Sequence, residues 1–165
     1  MIPRIALLSL VLGATPALAF DSTGRVGVGA DAAFTGGPAA HVTWWAAEQF
    51  AVQATAGLLL TGGAAGDSTI LLFGAGGVFK VVDTERVNLE VQVTTSFAVG
   101  DASLVRLEPG LRPEYFVTDD LSLHATIGLA VTVVGDNGAP GFGEGTYVQF
   151  GAGGLLSSAG FTFYF

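Results

Sequence analysis

An all-β fold, a transmembrane eight-stranded antiparallel up-and-down β-barrel behind a cleavable signal peptide, is what this 165-residue sequence predicts. Three observations predict it. Apolar and polar residues alternate over stretch after stretch, the two-residue period of strands rather than helices. Tight polar turns alternate with longer Gly- and Asp-rich connections, as they do in barrels that cross membranes. The chain ends on an aromatic strand with Phe161, Phe163 and Phe165 on one face and Thr162 and Tyr164 on the other. A soluble sheet gains little from such an edge, whereas a closed barrel pairs it with the first strand and turns its rings toward lipid.

The first 19 residues read as the signal peptide. Arg4 gives a positive start, residues 5–12 an apolar core, and Ala17-Leu18-Ala19 a small-residue cleavage site. That core is too short to span a bilayer. Residues 20–165 then form one barrel domain. With no Cys, the exported chain has neither disulfides nor a thiolate metal site. A mean hydropathy of +0.60 is high for a soluble protein, yet membrane helices do not fit. The uncharged stretches 49–66 and 145–165 are broken by Gly, Thr, Gln and Ser, and cations are too few to give loops a Lys/Arg bias.

Taken in order, residues 25–34 set Val26, Val28, Ala30, Ala32 and Phe34 against Arg25, Gly27, Gly29 and Asp31. Residues 40–45 set Val42 and Trp44 against His41, Thr43 and Trp45, and residues 50–60 set Val52, Ala54, Ala56 and Leu58 against Gln53 and Thr55. In 71–82, Lys80 opposes Phe73, Phe79 and Val81. The clearest strand, 87–99, places Val87, Leu89, Val91, Val93, Phe97 and Val99 opposite Asn88, Glu90, Gln92, Thr94 and Ser96. Residues 105–117 turn Val105, Leu107, Leu111, Tyr115 and Val117 out and Arg106, Glu108, Arg112 and Glu114 in. Residues 121–133 turn Leu121, Leu123, Ile127, Leu129, Val131 and Val133 out and Ser122, His124, Thr126 and Thr132 in; residues 155–165 close the set. Turns at 46–49, 83–86 and 118–120 are tight, and connections at 35–38, 61–68, 100–103 and 135–145 form the other rim.

Charge fixes the polarity. Arg25, Asp31, Lys80, Glu90, Arg106, Glu108, Arg112 and Glu114 all fall on the polar face. Turned toward hydrocarbon, each midplane cation would cost about 2–4 kcal/mol, so the apolar face is the outer one. Inside, the eight charges sum to zero, which permits paired ions. The remaining acids sit in turns, loops and the N-terminal segment. A net charge of -8 argues against nucleic acid as a partner.

Signal peptide, alternation, loop asymmetry and terminal Phe165 together resemble small eight-stranded outer-membrane barrels of the OmpA-transmembrane-domain or OmpX kind. The stretch from Pro113 to His124 also resembles the aromatic strand, acidic turn and returning strand common in bacterial surface barrels. This resemblance implies the outer membrane of a Gram-negative bacterium, with outer-membrane lipid and lipopolysaccharide as surroundings. Phe161, Phe163 and Phe165 would be the assembly signal read by the barrel assembly machinery. It implies a non-catalytic structural or surface-interaction role without cofactor or metal; a narrow, porin-like channel for ions or small solutes is the alternative. One departure is Pro109 and Pro113 inside a strand that has no free edge, which calls for a bulge or for Pro113 near the turn.

The inward charges could line a path or fill the interior. Eight strands leave room for little more than side chains, so filling is expected. His124 and Thr126, with Ser122 beside them, are similar in spacing to the His and Ser of barrel lipid A deacylases. Thr126 replaces the Ser, however, and the sequence places no acid to orient His124. Nor does His41 have a second ligand at metal spacing. Trp44, Trp45, Tyr115, Phe116, Tyr147 and Phe150 fall near strand ends, where interface girdles lie. The Gly runs 74–77 and 151–154 lack the Lys and helix of a phosphate loop. The connection with Asp136, Asn137 and Glu144 matches no calcium loop and is expected to be a surface loop.

Overall fold

A computed structural model describes residues 22–33, 38–61, 68–100, 103–136, 143–150 and 158–165. The expected signal peptide, Phe34, Asn137, the Gly run 151–154 and most of the long connections lie outside the described residues. Among the described residues nine strands appear: β1 (Val26–Ala33), β2 (Pro38–Ala47), β3 (Phe50–Thr61), β4 (Ser68–Asp83), β5 (Val87–Gly100), β6 (Leu104–Phe116), β7 (Leu121–Val134), β8 (Gly145–Phe150) and β9 (Ser158–Tyr164). Each pairs antiparallel with its predecessor as far as β7–β8, and β9 pairs with both β7 and β1, which closes the cylinder.

The eighth stave is in two pieces. β8 lies along Leu129–Val134 of β7 and β9 along Leu121–Thr126. The sequence reading placed this whole stave within 155–165. β8 falls outside that range, although its Val148 and Phe150 point outward as an outer face requires.

Alternation holds around the ring. Val28, Trp44, Phe73, Phe97, Leu111, Leu123, Ile127 and Phe163 face outward, while His41, Gln53, Lys80, Glu90, Glu108, Arg112, Glu114, His124 and Thr162 are buried within. Apolar outside and ionised inside is the reverse of a soluble barrel. Two aromatics depart from the expected girdle: Trp45 is 1% exposed and Phe116 is buried with it. With Ala51, Val78 and Tyr164 they form a small apolar cluster at the turn end. Both residues fall on inward positions of their strands, and this parity decides their direction whatever their chemistry.

Neither proline produces a bulge. The β5–β6 register runs without a break from Val87↔Tyr115 to Ala98↔Leu104 and includes Leu89↔Pro113 and Val93↔Pro109. On the other flank the bridges lapse at residues 108–109 and 112–113 and resume in the same register. The two missing N–H groups therefore face β7. The cost of each proline is an absent bond across the β6–β7 seam, with no shift of alignment. Outside this seam, Val87, Tyr115 and Leu123 stand around a shallow hollow that includes Pro113 and Ala125.

The turn end is tied by polar contacts. Arg25, expected among the interior charges, sits at this rim instead. Its guanidinium donates to the Asp119 carbonyl at 2.9 Å and pairs with Asp120 at 2.5 Å. Val26 only begins the first strand, so a residue before it has reached the lip. Lys80 Nζ pairs with Asp83 at 3.1 Å, donates to Ser22 Oγ at 3.1 Å and lies 4.7 Å from the Trp45 ring centroid.

Candidate functional site

Rows of side chains cross the interior because cross-strand partners share a face. One row reads Lys80, Glu90, Arg112 across β4, β5 and β6. Its centre is Arg112, whose Nη1 lies 3.6 Å from Glu90 Oε2. Arg112 Nη2 lies 3.8 Å from Glu114 Oε1 and donates to Thr162 Oγ1 at 3.4 Å. Glu114 is further supported by neutral donors, Ser122 Oγ at 2.6 Å and the Tyr164 hydroxyl at 2.8 Å. Both carboxylate oxygens of Glu90 lack a hydrogen-bond donor among the described residues.

Toward the other end, Arg106 donates Nε–H to Thr132 Oγ1 at 2.9 Å and faces Glu108 at 3.5 Å. Gln92 donates to Gln53 at 2.7 Å and to Thr94 at 3.0 Å. Between these groups lies a polar cavity of about 10 Å³, lined among others by Asp31, Arg112, His124, Thr126 and Ser158. That is the lower limit for one water molecule.

Asp31 joins neither Arg nor Lys directly. It bridges two histidines, with Oδ2 2.7 Å from His41 Nδ1 and Oδ1 2.7 Å from His124 Nε2. Two glycines make this possible. In the row His124, Gly160, Asp31, the middle strand β9 carries no side chain, so β7 and β1 meet across it. A Cβ on Gly160 would lie 2.5 Å from Asp31 Oδ1 and 2.7 Å from His124 Nε2. In the row His41, Gly29, Thr162, a Cβ on Gly29 would lie 2.0 Å from the Phe161 carbonyl oxygen and 2.5 Å from His41 Nε2. Across that gap His41 Nε2 reaches Thr162 Oγ1 at 3.0 Å.

Two expectations are corrected here. An acid does orient His124, and His41 does have neighbours at metal spacing: the donor atoms of Asp31, His41 and His124 all lie within 4.8 Å of one another. Sequence reasoning missed the trio because its members lie on three strands brought together only by closure. The inward glycines at 29 and 160 were the available signal. Of the expected charge network, Lys80, Glu90, Arg106, Glu108, Arg112 and Glu114 are inside, Asp31 is partly buried with the histidines, and Arg25 is at the rim. Phe161, Phe163 and Phe165 all point outward.

The fold and its contents thus define a closed β-barrel with an apolar exterior and a tightly filled, ionised interior. No protein-family model, no curated protein and no solved structure matches this chain.

Proposed function

We propose that this chain is a non-catalytic outer-membrane β-barrel with a structural or surface-interaction role in the envelope of a Gram-negative bacterium, akin to the small OmpA- and OmpX-type barrels. One observation carries the reading: large apolar side chains ring the outside while carboxylates and guanidiniums pack within. In water that arrangement would expose aliphatic and aromatic surface all round the cylinder, far beyond the patches monomeric soluble proteins tolerate. In a bilayer that apolar surface meets acyl chains while the charged groups stay inside. The filled interior favours a plug over a channel: the polar cavity bordered by Asp31, Arg112 and His124 is at the lower limit for a single water molecule.

The C-terminal rings Phe161, Phe163 and Phe165 fit the assembly signal, and lipid with lipopolysaccharide forms the barrel's surroundings. Membrane fractionation of cells that express the full chain tests this. Recovery from the outer membrane only with detergent, together with silence of the refolded protein in a planar bilayer, supports the reading. Release as a soluble protein refutes it; discrete conductance steps altered by Glu90→Gln establish the channel instead.

A further inference from the structure

We propose that Asp31, His41 and His124 form a binding site for one divalent transition-metal ion of the zinc class inside the barrel. The donor set is a carboxylate and two imidazoles, which suits zinc and its neighbours. Metal bonds of about 2.0–2.2 Å at tetrahedral angles set adjacent donors about 3.3–3.6 Å apart, so the two 2.7 Å contacts open by about 0.6–0.9 Å, and all the donor atoms already lie within 4.8 Å of one another. Asp31 would present one oxygen toward each histidine.

The surroundings of His41 accommodate an ion. Thr162 Oγ1 lies at His41 Nε2, so it can accept that ring's remaining N–H and hold Nδ1 free for a metal. Such an outer partner is what orients a ligating histidine. The small polar cavity borders both Asp31 and His124 and offers a place for a water ligand, the usual completion of a three-residue site. Charge agrees. Asp31 pairs with the two histidines, and no Arg or Lys among the described residues forms an ion pair with it, so a cation held there would meet a carboxylate that no neighbouring ammonium or guanidinium directly answers. Arg112 lines the same cavity, but Glu90 and Glu114 already take up its charge.

The site depends only on the interior and not on where the barrel resides. The test is to fold the full chain in the presence of Zn²⁺ or Co²⁺, remove excess ion, and measure bound metal. One equivalent is expected, with visible Co²⁺ bands and a zinc X-ray absorption spectrum that contains two imidazoles. His41→Ala and His124→Ala should each lose stoichiometric uptake, and Thr162→Val should weaken affinity about 10–100-fold. Wild-type protein that retains no stoichiometric metal overturns the proposal, as does a zinc shell without imidazole. Those two readings use no variant, so misfolding of a substitution cannot mask them.

Discussion

Replacing Arg112 by Met asks whether the interior is held by its ions. Arg112 is 1% exposed and stands between two acids, Glu90 and Glu114, that are themselves fully buried. At 3.6 Å and an effective dielectric of about 20, one such contact is worth about 4–5 kcal/mol of gross attraction. Desolvation of the ions consumes much of that, so the intact cluster contributes little net stability. Removal of the guanidinium is different: both carboxylates stay buried and their compensation is gone, which costs about 3–5 kcal/mol.

The two acids should not suffer equally. Glu114 keeps Ser122 and Tyr164 as donors, while Glu90 keeps none among the described residues. Adding Glu90→Gln to Arg112→Met should therefore restore more stability than adding Glu114→Gln. Urea unfolding of protein folded into vesicles, followed by Trp fluorescence, measures this, since Trp45 is buried and Trp44 faces out. A loss below about 1 kcal/mol, or better rescue by Glu114→Gln, would refute the account.

Other outcomes follow from single features. Val93→Arg, at mid-strand on the outer face, should cost about 2–4 kcal/mol in vesicles and Val87→Arg, beside a turn, about 0–1; the urea midpoints of the two give the depth dependence. Pro113→Val should return an N–H to the β6–β7 seam and stabilise by about 0.5–1.5 kcal/mol, seen as greater hydrogen-exchange protection on β7. Gly160→Ala would set a Cβ 2.4 Å from the Ala30 carbonyl oxygen as well as against Asp31 and His124, and should cost about 1–3 kcal/mol by overpacking, read from the same unfolding curves. Loss of Phe165 should lower the amount reaching the outer membrane in cells while refolding in detergent is unchanged.

The strand faces were legible because alternation is a local property. Glu90, Gln92 and Thr94 could be assigned inward from five neighbouring residues, and the structure agrees. The histidine cluster was not legible, because His41 and His124 meet only through Asp31 and only once β9 has docked on β1 and β7. Arg25 was misplaced for a different reason: parity gives a face but no height along the axis, and height decides whether a long side chain fills the interior or curls over its lip. Of the two outcomes expected for the prolines, the bulge is absent, while Pro113 does lie near the turn end of its strand. Each strand residue bonds toward one neighbour, so a missing donor weakens a single flank.

Val28 lies opposite Phe163, so the seam that completes the cylinder joins the two extremes of the strand array. A ribosome delivers β1 long before β9, and until then β1 shows a bare row of amides and carbonyls to whatever is near. Such distant pairing is slow to nucleate and the waiting edge is prone to stick to other chains. Closure of this barrel therefore waits on its last strand, and the β1 edge gains its second partner only when β9 has been made.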